Sequence, residues 1–216
     1  MKLLVLALSL YCSYGFVHNF LLKSRLHVGG ISKSELCGDS TSNVHDYIEI
    51  LAKRSKLPQG FKVGATRFLF NPLEVAGKTL PMNVSLIVLD QPTESFAALF
   101  TSNKVPGGPV VVGKSRMKTA KYLQAVIVNN KISNVSPSGV TDRGAGDSER
   151  LCAGVAKHLN LPSNEYVFPS STGIIGWRLP VDAIENHLSH AVTSLQSDSI
   201  LPAALGTYVE LPATPF

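Results

Sequence analysis

Ser170-Ser171-Thr172 sets three hydroxyl side chains in a row, and Gly173-Ile174-Ile175-Gly176 leads from them to the single Trp of the chain, Trp177. Apolar Tyr166-Val167-Phe168 precedes the run, and Leu179-Pro180 opens a helix-like segment after it. A small-residue turn between two regular elements can bring backbone N–H groups and a hydroxyl close to a bound group. The same residues also make an ordinary strand-to-helix bend. Composition alone leaves both readings open.

A second stretch imitates known chemistry. Gly108-Pro109-Val110-Val111-Val112-Gly113-Lys114-Ser115 satisfies the P-loop pattern G-x-x-x-x-G-K-S. A phosphate cradle needs consecutive backbone N–H groups along a turn-like path. Pro109 has no N–H, and the preceding Thr101–Pro106 is polar and turn-forming where a P-loop requires a strand. Three valines favour an extended backbone, so a strand over 110–112 with a solvated Lys114 is expected. Cys12, Cys37 and Cys152 are too few and too far apart for a disulfide framework or metal-ligand spacing. His45, His158 and His187 lack partners at ligand spacing and read as surface residues.

The elements that must position these residues follow from periodicity. Val44, Tyr47, Ile48, Leu51 and Ala52 share a helix face behind Ser42 as a cap. Phe61–Phe70 reads as extended, and Asn83–Asp90 as a buried strand. Ser95–Phe100 is either strand or short helix. Ala125–Asn129 and Tyr166–Phe168 complete the strands. Asn130–Gly146 is a loop by its Gly, Ser, Pro and Asn content. Leu151, Val155 and Leu159 mark one helix, and Val181, Ile184, Leu188, Ala191, Val192 and Leu195 another. Residues 197–216 show no clear period. With strands early and helices late, an α+β layered domain is expected.

The chain has 216 residues, 44% hydrophobic and 16% charged, which fits one globular domain with an extension. Its net charge of +5 is scattered. Lys53-Arg54-Ser55-Lys56 and Lys114-Ser115-Arg116-Met117-Lys118 are not interleaved with aromatics, so they read as solvated faces and no nucleic-acid partner is expected. Leu3–Leu10 is an apolar run too short to span a bilayer, with small residues at Ser13 and Gly15 for cleavage before Phe16. Phe16–His27 is basic, lacks acids and resembles a transit peptide. The pair resembles a bipartite plastid signal, with mitochondrial or secreted delivery as alternatives and no membrane attachment after processing. The expected division is a targeting segment over 1–40, a domain over 41–205 and a tail over 206–216.

Several stretches, taken together and in order, resemble the ornithine acetyltransferase family, also called glutamate N-acetyltransferase or the bifunctional arginine-biosynthesis protein. They are Leu57-Pro58-Gln59-Gly60-Phe61, Val84–Asp90 with Phe96–Val105, Gly108-Pro109-Val110, Ala125–Asn129, and Ser171–Gly176 with Leu179-Pro180. The match covers residues 57–205 and gives the false P-loop another identity. The resemblance implies a layered α/β sandwich like that of self-cleaving aminopeptidases, of which this chain holds the first half. It implies acetyl transfer from N-acetylornithine to glutamate through an N-terminal Thr nucleophile released by self-cleavage, with no metal or organic cofactor. Acetyl-CoA as a further donor is left open. By resemblance Thr172, through its hydroxyl, and Gly173, through its backbone N–H, form the oxyanion hole.

Two departures stand out. Asn130-Lys131-Ile132-Ser133-Asn134-Val135 replaces a loop that is Gly- and Ala-rich in many members. After Leu201–Ala204 the family's Thr-Thr-Asp and cleavage Thr do not follow. Ala213-Thr214 lies three residues from Phe216, and Ala65-Thr66 precedes Thr172, so neither supplies the nucleophile. The expected partner is therefore a β chain or a full-length relative. The alternative is a non-catalytic paralogue or truncated fragment that acts as a binding or assembly subunit.

Overall fold

Alternating apolar and polar residues build the two longest strands of the computed structural model, which describes residues 4–7 and 44–207. In chain order the elements are β1 (Leu4–Ala7), α1 (Val44–Arg54), β2 (Phe61–Phe70), β3 (Leu80–Thr93), β4 (Phe96–Leu99), α2 (Gly108–Thr119) and β5 (Leu123–Asn129). α3 (Ala145–His158), a 3-10 turn (Asn164–Tyr166), β6 (Val167–Ser171), α4 (Val181–Thr193) and α5 (Leu201–Thr207) follow. The main sheet has the order β2-β3-β5-β6. β2, β3 and β5 are antiparallel neighbours, whereas β5 and β6 run parallel, Asn129 opposite Ser171. β1 pairs in parallel with β4 apart from this sheet.

The register sorts the side chains. Phe68, Phe70, Met82, Val84, Leu86, Val88, Ala125, Ile127 and Val167 share one face. Leu151, Cys152 and Val155 of α3 and Ile184, Leu188 and Ala191 of α4 close over it as one apolar cluster. Gly64 is needed here, because a Cβ would fall on the carbonyl oxygen of Ala191 in α4. The other face carries a smaller cluster of Val126 and Phe168 with Ile87, Leu89, Phe96 and Phe100. The mixed sheet with helices packed on it gives the expected α+β layered class.

Four expectations change. Val110–Val112 is helical, not extended. Gly107 caps α2, Pro109 sits in its first turn, and Val112, Gly113 and Arg116 are buried, so a helix start and a packed slot outweigh β-propensity. Because α2 lies between β4 and β5, strands and helices are interspersed. Residues 201–207 form α5, since Pro202 suits a first helical turn as well as a break. Arg116 is not on a solvated face: it is 2% exposed and its Nη2 lies 2.5 Å from Glu149 Oε2. Lys114 is exposed, and its Nζ donates to the Thr101 carbonyl at 2.9 Å.

Of the histidines, His158 is exposed, while His187 is half-buried with its ring stacked 4.3 Å from Phe68. The Ser42 cap, Cys12, Cys37, Ala213-Thr214 and nearly all of the targeting segment lie outside the described residues.

Candidate functional site

β5 and β6 are the parallel pair, and the candidate site lies just beyond their carboxyl ends, where open α/β sheets commonly bind ligands. β6 ends at Ser171, so Thr172 and Gly173 are the first residues past the strand. Thr172 N–H donates to the Asn129 carbonyl at 3.0 Å, which extends the β5–β6 ladder by one bond. The chain then zips onto the loop after β5. Ile174 N–H donates to Lys131 O at 2.8 Å, Ser133 N–H to Ile174 O at 3.0 Å, and Gly176 N–H to Val135 O at 2.9 Å.

Gly173 is held at φ 130°, a region that disfavours side chains. A Cβ there would collide with the Lys131 carbonyl group and the Ile132 nitrogen. The close approach of two backbones therefore requires glycine at this position.

The opposite wall is the start of α2 and the loop before it. Gly107 and Gly108 press against Asn134, and Gly144 packs on the Asn134 amide. Gly108 N–H donates to Asn134 O at 2.9 Å, and the N–H groups of Val110 and Val111 turn back to Gly107 O. With Pro109 lacking an N–H, the first turn of α2 offers its dipole more than free donors. The approach loop is braced by its own side chains: Asn103 N–H donates to Thr101 Oγ1 at 3.1 Å and Val105 N–H to Asn103 Oδ1 at 3.0 Å.

Between these walls lies a cleft of about 430 Å³ lined by Thr101–Gly107, Pro109, Val110, Ser133, Val135, Ser171–Gly173 and Ile175. Lys104 is the one charged side chain among the lining residues. The cleft is thus of mixed polar and apolar lining, weakly cationic, and backed by a helix start, a setting that favours developing negative charge. Thr172 is half-buried and its hydroxyl has no hydrogen-bond partner among the described residues. Thr172 and Gly173, singled out in the sequence, both line this cleft.

The sequence reading did not find the asparagines beneath the turn. Asn129, Asn130 and Asn134 are each at most 1% exposed. Asn130 Oδ1 accepts from Asn83 N–H at 2.7 Å, and Asn134 Nδ2 donates to Gly144 O at 2.9 Å and Ser148 Oγ at 3.0 Å. Their only sequence signal is their density after an apolar strand, which equally marks a surface turn. Among the described residues no group of His, Cys, Asp and Glu is arranged to hold a metal ion.

The profile of the ArgJ family matches residues 73–208. Arginine biosynthesis bifunctional protein ArgJ 2 of Clostridium acetobutylicum is 37% identical over 109 residues, 50% of this chain and 27% of that protein. The mitochondrial ArgJ of Talaromyces marneffei is 31% identical over 142 residues, 65% of this chain and 28% of that protein. Across the curated relatives compared, the matched region spans 24% to 34% of their length. The crystal structure of the ArgJ protein of Bacillus halodurans aligns with TM-score 0.50 at 26% identity, over 72% of this chain and 71% of that one. The ornithine acetyltransferase of Mycobacterium tuberculosis, solved in complex with ornithine, shares the fold with TM-score 0.57 at 23% identity, over 70% of this chain and 78% of that one.

Proposed function

Because the chain belongs to the ArgJ family, we propose that it carries the oxyanion-stabilising half of an acyl-transfer site in arginine biosynthesis. The reaction moves acetyl from N-acetylornithine to glutamate. The hydroxyl of an N-terminal Thr, supplied by a β chain or a full-length relative, attacks the acetyl carbonyl. A free α-amine has a pKa of about 7.7–8.0, so it can take that hydroxyl's proton near neutral pH. The carbonyl oxygen gains the negative charge, and the Thr172 hydroxyl and Gly173 N–H donate to it. Collapse expels the amine of ornithine and leaves an acetyl ester on the nucleophile. The glutamate amine then attacks that ester through the same oxyanion arrangement.

The observation that carries this reading is Thr172 on the cleft wall, next to a glycine that the backbone packing requires. The match covers most of the solved chains but only a quarter to a third of the curated relatives, a contrast that supports a protein working as two chains. In acetyl-transfer assays of the chain mixed with a β-type segment, Thr172→Ala is expected to lower kcat about a hundredfold or more. An unchanged kcat would sink the assignment. Turnover of N-acetylornithine and glutamate by the purified chain alone would count against a nucleophile supplied by a second chain.

The short span along the relatives also favours a second reading, a binding or assembly subunit. A stable complex with a full-length relative, together with indifference of its activity to Thr172→Ala, would select it. We place the protein in an organelle, a plastid by its targeting segment. The mitochondrial designation of the Talaromyces marneffei relative supports the mitochondrial alternative only. Import of a fluorescent fusion to residues 1–40 tests this, and a cytosolic signal would count against it.

A further inference from the structure

We infer that Asn129 is the positioning residue of this site: it clamps the Ser171–Gly173 turn and leaves Thr172, rather than Ser171, as the turn residue with an uncommitted hydroxyl on the cleft. The purpose of the clamp rests on the acyl-transfer reading; its geometry does not. Asn129 ends β5 opposite Ser171 and is 1% exposed. Its carbonyl accepts the Thr172 N–H at 3.0 Å. Its Oδ1 accepts the Ser171 hydroxyl at 2.6 Å. Its Nδ2 donates to Ile132 O at 2.9 Å and to Asn130 O at 3.3 Å. One buried side chain thus ties the end of β6 to the loop that Gly173 packs against.

The chemistry requires an amide. One end must accept from a hydroxyl while the other donates to two carbonyls, and Asn does both at once. The Ser171 proton is committed to Asn129, so Ser171 is withdrawn from the cleft's chemistry. Thr172, one residue on, keeps its backbone in the ladder and lines the cleft. Aspartate at 129 would be close in shape but, when ionised, would turn a carboxylate toward the Ile132 and Asn130 carbonyls. Protonated, it regains one donor. Burial and those carbonyls raise its pKa, so the clamp should hold at low pH and release as pH rises.

The test is amide hydrogen exchange of the full chain as wild type, Asn129→Asp and Asn129→Ala, corrected for intrinsic rates, at pH 5 and pH 8. In Asn129→Asp, the Thr172 and Ile174 amides should be close to wild type at pH 5 and exchange ~tenfold faster at pH 8, the effect of losing about one hydrogen bond. Wild type should show no such pH dependence, and Asn129→Ala should be loose at both. The β2 and β3 amides serve as the internal reference. Wild-type protection of Thr172 and Ile174 in Asn129→Asp at pH 8 would overturn the inference. So would an equal rise across β2 and β3, which would make Asn129 a general support of the fold. A separate titration with N-acetyl-L-ornithine, read at the Gly173 amide resonance, should shift wild type and Asn129→Asp at pH 5 but not Asn129→Asp at pH 8. Silence of the wild-type resonance would sink the acyl-transfer reading and leave the exchange result, which decides the role of Asn129, standing.

Discussion

On one face of the main sheet Met82, Val84, Leu86 and Ile127 are sealed beneath α3 and α4. On the opposite face the same strands present Asn83, Ser85, Ile87 and Val128, and the cover is the short α5 beside the β4 segment. Arg67, Asn83, Lys131, Leu205 and Gly206 line an open depression there. Leu69 points to this face and is 67% exposed. The first face is a finished core. The second has apolar and polar groups side by side around that depression. The candidate site sits at the strand ends between the two, held by buried asparagines, so its geometry does not depend on the second face being filled.

The largest contrast should come from truncating one leucine on each face. Leu188 is fully buried in α4, and Leu188→Ala should cost about 2–5 kcal/mol in urea unfolding. Leu69→Ala should stay within about 0.5 kcal/mol. Similar losses at both would mean that the second face is packed in solution, by a second copy or a bound partner.

Two glycines repeat the contrast at smaller size. Gly64→Ala drives a Cβ onto the Ala191 carbonyl, a backbone group that α4 cannot move, and should cost about 2 kcal/mol or more. Gly206→Ala meets the Ser85 hydroxyl, a side chain free to turn, and should cost under about 1 kcal/mol. Melting temperatures of the two variants check this. A larger drop for Gly206→Ala would place α5 among the elements that hold the sheet together.

Much of the first face was legible in the sequence, because burial there imposes regular periods. Val181, Ile184, Leu188 and Ala191 gave α4, and the apolar run around Leu86 gave β3. Legibility failed where tertiary packing decided. Val110–Val112 looks like a strand to any local rule, yet Gly107-Gly108 against Asn134 and Gly113 against Phe100 fix a helix. At the site, the pair Thr172-Gly173 was named through resemblance, and both residues line the cleft. Asn129 and Asn134 were not, since a buried asparagine and a surface turn asparagine leave the same trace in a sequence. Which it is depends on the carbonyls that fold back onto it.

Cys152 offers a chemical reading of how tightly the first face is closed. Burial pushes its thiol up to about 11, against the pull of the nearby Arg116 guanidinium. In the unfolded chain the thiol returns to the ordinary cysteine range, about 8.5–9. The folded state prefers the neutral thiol, so this contribution to stability is complete below pH 9 and declines as pH climbs toward 11. The decline should amount to about 2 kcal/mol across that window, and Cys152→Ala should remove it from the urea-unfolding profile. Alkylation of Cys152 in the native chain at pH 8 should follow unfolding only. Rapid labelling without unfolding would show that α3 opens locally and that the first face is less sealed than its burial indicates.

The smallest effect tests the boundary between the site and the second face. Lys131 holds φ 70°, a left-handed backbone that costs a non-glycine residue about 1–2 kcal/mol. It is kept there because its carbonyl accepts Ile174 N–H and lies under Gly173. Lys131→Gly should relieve that strain while adding freedom to the unfolded chain, for a net gain of about 0.5–1 kcal/mol. Exchange at the Ile174 amide should not change, because the substitution keeps the carbonyl. A loss of stability instead would mean that the Lys131 side chain, which lines the depression on the second face, contributes more than its backbone strain takes away. The second face would then be part of the site's support, and the separation of site from open face would fail at this residue.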